Sequence, residues 1–386
     1  MSVSRVRDIP GIGVDHVGDA ADEVADPDML RLENLDTDLR PMPAVLERTR
    51  QAVLEDAANS YLPFQGGAAL RRAAAEHVGR LARRSYEAEQ CLITAGGLNG
   101  ILNVLLATVE PGDEVVLCDP IYAGLVNRVR LAGGVPRFVA QRPSPDGWQT
   151  DPVELADAVN DRTAAVIMMS PSMPTGAVLG NEHWRTLADA LERHDAWLIY
   201  DAAMERIRFD GARPAHPAAL PGLAERTITV GSASKELRMI GWRVGWVVGP
   251  REIIRDVDLV GLSNVVCQVG LAQEAMALAL TAPDADADVA SAARTWGERA
   301  ALLVRELHDY PVVPPAGGWS LLIDTTQLGI PPAEAASRLF ERGRVAATPM
   351  DGWGPSGARY LRLVFANEPV ERLADIRQRF DAALGG

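Results

Sequence analysis

Between residues 91 and 248 the chain alternates short apolar runs with longer stretches that carry an apolar face. Cys91-Leu92-Ile93-Thr94, Glu114-Val115-Val116-Leu117-Cys118 and Val135-Pro136-Arg137-Phe138-Val139 read as strands, as do 164–169, 197–200, 227–230 and 244–248. Residues 98–108, 122–132, 152–159 and 182–194 have the helical period and lie between them. Seven apolar strands joined by helices describe a buried, mostly parallel sheet covered on both faces. Upstream, 43–58 predicts a helix with Val45, Leu46, Val53 and Leu54 on one side, then a loop at 59–67 and a helix over 68–82. Residues 1 to about 30 show no period and are expected to form an arm or irregular lead. After Leu271 the pattern changes to a long helical region, roughly 271–309, broken near Pro283. A small α+β segment follows, with strands at 320–324 and 360–365. The expected class is α/β. A large domain spans 45–270, and residues 1–44 with 271–386 form a smaller α+β one.

Composition narrows the partners. With 47% apolar residues but only 5% aromatics, Ala, Leu and Val must fill most of the core. A net charge of −14 and the lack of any basic block argue against nucleic acid and anionic membrane surfaces. No apolar stretch is long enough to span a bilayer, and the start Met1-Ser2-Val3-Ser4-Arg5 is not followed by the apolar run of a signal peptide. Cys91, Cys118 and Cys267 are far apart, without metal-site spacing or a disulfide framework. The expectation is a protein of a reducing compartment, the cytoplasm, with buried thiols and no bound metal.

Candidate chemistry centres on Lys235 in Gly231-Ser232-Ala233-Ser234-Lys235, followed by Gly241-Trp242-Arg243-Val244-Gly245. A lysine amine becomes chemically useful as a Schiff base with a carbonyl. Two serines and an arginine beside it suit a phosphate, and the combination points to pyridoxal 5′-phosphate, an aldehyde at one end and a phosphate at the other. Ligands of an open α/β sheet collect beyond the carboxyl ends of its strands. Gly96-Gly97-Leu98 falls at such an end, where free backbone N–H groups suit a phosphate. Tyr122 follows another strand and is placed to lie on a cofactor ring or to be half-buried core. Asp201 ends a third, either pairing with a pyridine nitrogen or capping a helix.

This set resembles the fold-type I pyridoxal-phosphate enzymes, in particular the class I/II aminotransferase family, from about Leu32 to the C-terminus. The resemblance implies that Lys235 carries the cofactor and that Ser232 and Arg243, with Ser234 close by, hold its phosphate. It implies backbone contacts from the turn Thr94-Ala95-Gly96-Gly97-Leu98-Asn99, ring stacking by Tyr122 and a pyridine-nitrogen partner in Asp201. Tyr61, in Tyr61-Leu62-Pro63-Phe64-Gln65-Gly66, is similar to a tyrosine reaching the phosphate of the neighbouring subunit, so a homodimer is implied. Arg362, in Leu361-Arg362-Leu363-Val364-Phe365-Ala366, matches the arginine that grips the substrate α-carboxylate.

Two positions depart from the family pattern. Met173 stands where the motif similar to Ser170-Pro171-Ser172-Met173-Pro174-Thr175-Gly176 has asparagine, and Met204 where a tyrosine follows the aspartate. Both usual residues donate to the cofactor's phenolic oxygen, whereas a thioether has nothing to donate, so the proton affinity there should rise. Leu35, in Asn34-Leu35-Asp36-Thr37-Asp38, stands in place of a glycine in the segment that in the family helps close the site, which implies less room near substrate or a shifted backbone. The implied activity is transfer of the amino group of an L-amino acid to a 2-oxo acid. A lyase, cyclase or oxidase of amino acids is the alternative. Trp319, Trp353, Tyr122 and Phe64 are candidates for an apolar substrate wall, with Trp319 equally readable as core. Arg40 is a candidate for a second carboxylate.

Overall fold

A computed structural model describes residues 3–7, 9 and 12–385. Part of the start of the chain, read above as containing no signal peptide, lies outside the described residues.

The central sheet has eight strands in the order Cys91–Thr94, Gly245–Val248, Thr227–Ser232, Trp197–Asp201, Thr163–Met169, Glu114–Asp119, Val135–Ser144 and Gly147–Thr150. The five from Thr227–Ser232 to Val135–Ser144 pair in parallel. Gly245–Val248 runs antiparallel to both its neighbours. The seven expected strands are all present. The eighth, Gly147–Thr150, was not anticipated: it is a short hairpin return onto Val135–Ser144, and Trp148 and Gln149 lack a period long enough to signal it.

Strand order reverses between Glu114–Asp119 and Thr163–Met169: the chain moves outward to Val135–Ser144, then crosses back and proceeds the other way. At such a switch point the connections diverge and leave a crevice at the carboxyl ends. Asp119, Met169, Asp201 and Ser232 all end strands on that side. Helices Gly97–Thr108, Ala123–Leu131 and Asn181–Arg193 cover the sheet with Ile101, Leu125, Val129, Trp184 and Leu187 fully buried. Asp151 starts the short helix Pro152–Asp157 by accepting from Val153 N at 2.8 Å and Glu154 N at 3.2 Å.

A second, four-stranded antiparallel sheet runs Val312–Val313, Ser320–Asp324, Tyr360–Val364, Thr348–Pro349. The helical region before it divides at Pro283 into Gly270–Thr281 and Ala285–Glu306, as expected. Leu30–Arg31 pairs in parallel with Val345–Ala346, and Leu32 O accepts from Val364 N at 2.6 Å. That pairing delivers residues 33–36 to the mouth of the crevice.

The lead is not wholly irregular. Val14–Val24 is an α-helix, with Ala21 buried against Met29 and Ala346. Its ends carry no side-chain cap to mark it. The helix expected over 43–58 stops at Ala52, and Asp56–Asn59 is a 3₁₀ turn. Helix Arg251–Asn264 was not anticipated. Cys91 and Cys118 are buried, but Cys267 is only partly so, and no disulfide forms. No helix among the described residues is long and apolar enough to cross a membrane.

The carboxyl-end crevice is framed by a close backbone approach at Gly245. A Cβ there would lie 2.6 Å from both Gly96 C and Gly97 N and 2.8 Å from Gly231 O, none of which is a movable side chain. Gly245→Ala is therefore expected to destabilise the protein by about 1–3 kcal/mol through overpacking. Thermal or denaturant unfolding checks this, and an unchanged midpoint would contradict it.

Candidate active site

The loop after strand Thr227–Ser232 is shaped by its own polar groups. Ser234 N donates to Ser232 Oγ at 3.2 Å, and Ala233 N to Val244 O at 3.0 Å, which returns the chain to the next strand. Arg243 folds back with φ 54°, and its Nη1 donates to Ile240 O at 2.9 Å and Ser234 Oγ at 3.3 Å. Its other terminal nitrogen lies against Gly96, where a Cβ would come within 2.6 Å of Nη2. Gly96 has φ 84°, a left-handed conformation suited to glycine, and helix Gly97–Thr108 begins directly after it. An open helix N-terminus, an arginine and two serine hydroxyls converge here, the donor set that binds a phosphate.

These groups line one end of a cavity of about 220 Å³, with Gly97, Leu98, Ser232, Ser234 and Arg243 in its wall. Tyr122, Asp201, Ala203 and Lys235 line it further along, and Leu35, Met169, Met173, Met204 and Ile240 give it an apolar side. Asp201 is 4% exposed and accepts from Ala203 N at 3.1 Å. Burial pushes its carboxyl up to about 6, against the pull of Ala203 N, Lys235 and Arg128. Lys235 Nζ donates to Leu35 O at 3.0 Å and sits 4.3 Å over the Trp319 ring. Burial, then the neighbouring charges of Arg362 and Arg243, pull its amine down to about 7, opposed by Asp36 and Asp201.

The structure brings together most of the residues singled out in the sequence. Gly96 shapes the turn at the start of helix Gly97–Thr108, and Leu35, Met173 and Met204 face the cavity. Arg362, Tyr61, Phe64, Trp319, Trp353 and Arg40 do not line it. Arg362 is 0% exposed and lies behind the wall: its Nη2 donates to Glu33 O at 2.7 Å and Thr348 Oγ1 at 3.1 Å. Its Nε and Nη1 have no partner among the described residues. Burial pulls the guanidinium down to about 9, which leaves it a cation at neutral pH. Tyr61 is 84% exposed, away from its own chain's cavity, and Phe64 is exposed beside it. Trp319 is both core and floor to Lys235, whereas Trp353 packs on Tyr122 and Arg362. Arg40 is exposed, and its carbonyl accepts from Arg238 Nε at 3.0 Å.

Sequence reasoning missed Arg128, Met169, Ala203 and Ile240. Arg128 Nε donates to Leu98 O at 2.9 Å and Nη1 to Gly124 O at 2.8 Å, stapling the phosphate turn to the Tyr122 turn. It sits inside a helical run with no sequence mark of that reach.

Residues 28–380 match the family described as aminotransferase class I and II. The chain belongs to the class I and II aminotransferases. It is similar to the arginine–pyruvate transaminase of Pseudomonas aeruginosa, at 33% identity over 80% of this chain and 79% of that one. It is likewise 33% identical to the aspartate/prephenate aminotransferase of Thermus thermophilus, over 88% and 87% of the two chains. Among solved structures, the N-succinyldiaminopimelate aminotransferase of Mycobacterium tuberculosis superposes with a TM-score of 0.91 at 30% identity, covering all of both chains. The aminotransferase therefore moves an amino group between an amino acid and an oxo acid, as its motifs implied.

One compositional signal had gone unread. Lys235 is the only lysine among the 38 lysine and arginine residues of this aminotransferase. Lowering a lysine from 10.5 to about 7 disfavours its ammonium by roughly 5 kcal/mol. The neutral, nucleophilic amine thus grows in as pH rises through about 7 rather than through the ordinary lysine range. Labelling of the cofactor-free protein by an amine-acylating reagent, read at Lys235 by peptide mass spectrometry, is expected to reach half its maximal rate near pH 7. A rate still climbing at pH 9–10 would contradict the shift.

Proposed function

We propose that this aminotransferase binds pyridoxal 5′-phosphate in the Lys235 cavity and transfers the amino group of an L-amino acid to a 2-oxo acid. The observation that carries this is the placement in one cavity of a phosphate-binding end, a lysine with a depressed pKa and a buried carboxylate. The donor set fits the cofactor. Gly97, Leu98, Ser232, Ser234 and Arg243 would hold its phosphate, Tyr122 its ring, Asp201 its pyridine nitrogen and Lys235 its aldehyde carbon. Once bound, the cofactor supplies the electron sink that makes a Cα proton removable.

The chain's own groups supply the rest. With its carboxyl at about 6, Asp201 is anionic above neutral pH and favours a proton on the nitrogen it faces. Lys235 Nζ, largely neutral above about 7, is the base that takes the Cα proton and the acid that returns it. Arg362 offers Nε and Nη1 to the substrate carboxylate. The amine must leave its hydrogen bond to Leu35 O before it acts. The relatives named above differ in the side chain of the amino acids in their names.

The homodimer is part of the same proposal. Tyr61, Leu54, Leu259, Val266 and Val269 are exposed, and Leu62 N donates to Cys267 Sγ at 3.2 Å, which joins the two segments that carry them. An apolar surface of this kind suits a second copy of the chain, with Tyr61 reaching its phosphate end. So is the division into 1–44, 45–270 and 271–386, supported by an eight-stranded sheet within 91–248 and a four-stranded one within 312–364. A cytoplasmic location is supported by the unpaired cysteines.

Met173 and Met204 in the wall favour a second reading, a lyase, cyclase or oxidase of amino acids, because they leave that side of the cavity without strong donors. Absorbance of the cofactor-loaded protein with a panel of L-amino acids, with products identified by mass spectrometry, separates the two. Formation of a 2-oxo acid with pyridoxamine phosphate is expected; ammonia release with unchanged cofactor would favour the second reading. Lys235→Ala is expected to abolish turnover. Mixing Lys235→Ala with Tyr61→Ala subunits is expected to restore activity that neither variant has alone, since one site of each mixed dimer keeps both residues. Failure of subunit-exchanged mixtures to do so would count against the shared site.

A further inference from the structure

The fully buried Arg362 poses a question of support. A guanidinium out of water ordinarily has its N–H groups satisfied, and idle donors are costly. Arg362 keeps two of them, Nε and Nη1, without a partner among the described residues. No carboxylate among the described residues hydrogen-bonds to it. The nearest candidate, Glu33, turns its side chain to Arg31 and meets Arg362 Nη2 only through its backbone carbonyl. Besides the two hydrogen bonds of Nη2, a ring holds the guanidinium: its Cζ lies 4.6 Å from the centroid of Trp353.

Trp353 is in turn held from several sides. Its Nε1 donates to Ile12 O at 3.0 Å, its carbonyl accepts from Ile121 N at 3.0 Å and its own N donates to Met350 O at 3.1 Å. Three residues on, Ser356 gives both its N, at 3.1 Å, and its Oγ, at 2.9 Å, to the Asp119 carboxylate that ends a central strand. The same ring meets Tyr122 edge-on, 5.2 Å between centroids at 68°. One aromatic side chain thus sets Arg362, on the four-stranded sheet, in register with Tyr122, beside the central sheet.

We propose that Trp353 is a positioning residue for the substrate carboxylate: it fixes the Arg362 guanidinium through its π face, which consumes no N–H, and so leaves N–H groups on Nε and Nη1 free to donate to a carboxylate oxygen. A carboxylate in its place would hold Arg362 equally well but would fill those donors from within. The inference rests on the reading of Arg362 as the carboxylate subsite.

The test compares L-alanine with L-alaninamide on the cofactor-loaded protein, following the cofactor absorbance to obtain half-saturating concentrations. The pair differs only in the carboxylate and makes little demand on any side-chain pocket. Trp353→Leu and the longer, unbranched Trp353→Met are expected to weaken L-alanine roughly tenfold while leaving L-alaninamide unchanged. Turnover at saturation should fall less than KM rises. Trp353→Phe, which keeps a π face, is expected to stay within about threefold of the parent. Equal weakening of acid and amide, or no change in either, overturns the proposal. Arg362→Lys separates the underlying reading: if it leaves L-alanine binding intact, the carboxylate subsite lies elsewhere.

Discussion

The site depends on disfavouring one ammonium. Lys235 is placed where water is excluded and two arginines, Arg362 and Arg243, oppose its charge more than Asp36 and Asp201 support it. Burial acts in the opposite sense on Asp201, raising the acid as it lowers the amine. The two pKa values, about 7 and about 6, therefore approach each other from ordinary values far apart. Such convergence is the mark of an environment arranged for proton traffic near neutrality. An ion pair between the two in the open would have driven them the other way, to an inert ammonium and carboxylate.

That environment is assembled from distant parts of the chain. The central sheet contributes the phosphate turn, Asp201 and the Lys235 loop, whereas Arg362 comes from the four-stranded sheet. Residues 33–38 close the space between. Glu33 O and Leu35 O accept from Arg362 and Lys235, and the segment is fastened beyond by Asp38, which receives Arg299 at 2.7 and 2.9 Å, and by Thr37, which receives Trp296 Nε1 at 3.2 Å. The backbone thereby occupies donors that a substrate would otherwise use. Binding is an exchange of hydrogen bonds rather than a simple gain.

Most of the large sheet was legible because its strands are buried on both faces and read as unbroken apolar runs such as Val115-Val116-Leu117. What escaped was the short Gly147–Thr150 hairpin, the lead helix Val14–Val24 and helix Arg251–Asn264. The cofactor-end residues were legible for a different reason. Lys235, Arg243 and the glycine turn lie in local motifs whose spacing survives without knowledge of the fold. Arg128 and the support of Arg362 by Trp353 were not legible, since each is a contact between segments far apart in sequence. The exposed position of Tyr61 likewise has meaning only once its own cavity is located elsewhere. Arg362 itself was named from its motif, but its complete burial behind residues 33–35 follows from tertiary packing alone.

The solitary lysine has a chemical corollary. Pyridoxal phosphate is an aldehyde, and proteins with lysine-covered surfaces condense with it at many amines. Here every other basic side chain of the lysine–arginine class is a guanidinium, too weak a nucleophile in its charged form to join that chemistry. The outer side chains are thus silent toward carbonyl compounds, and the interior of one cavity is where they meet a side-chain amine. Stoichiometry of carbonyl capture at side chains of this protein is in effect a count of intact sites.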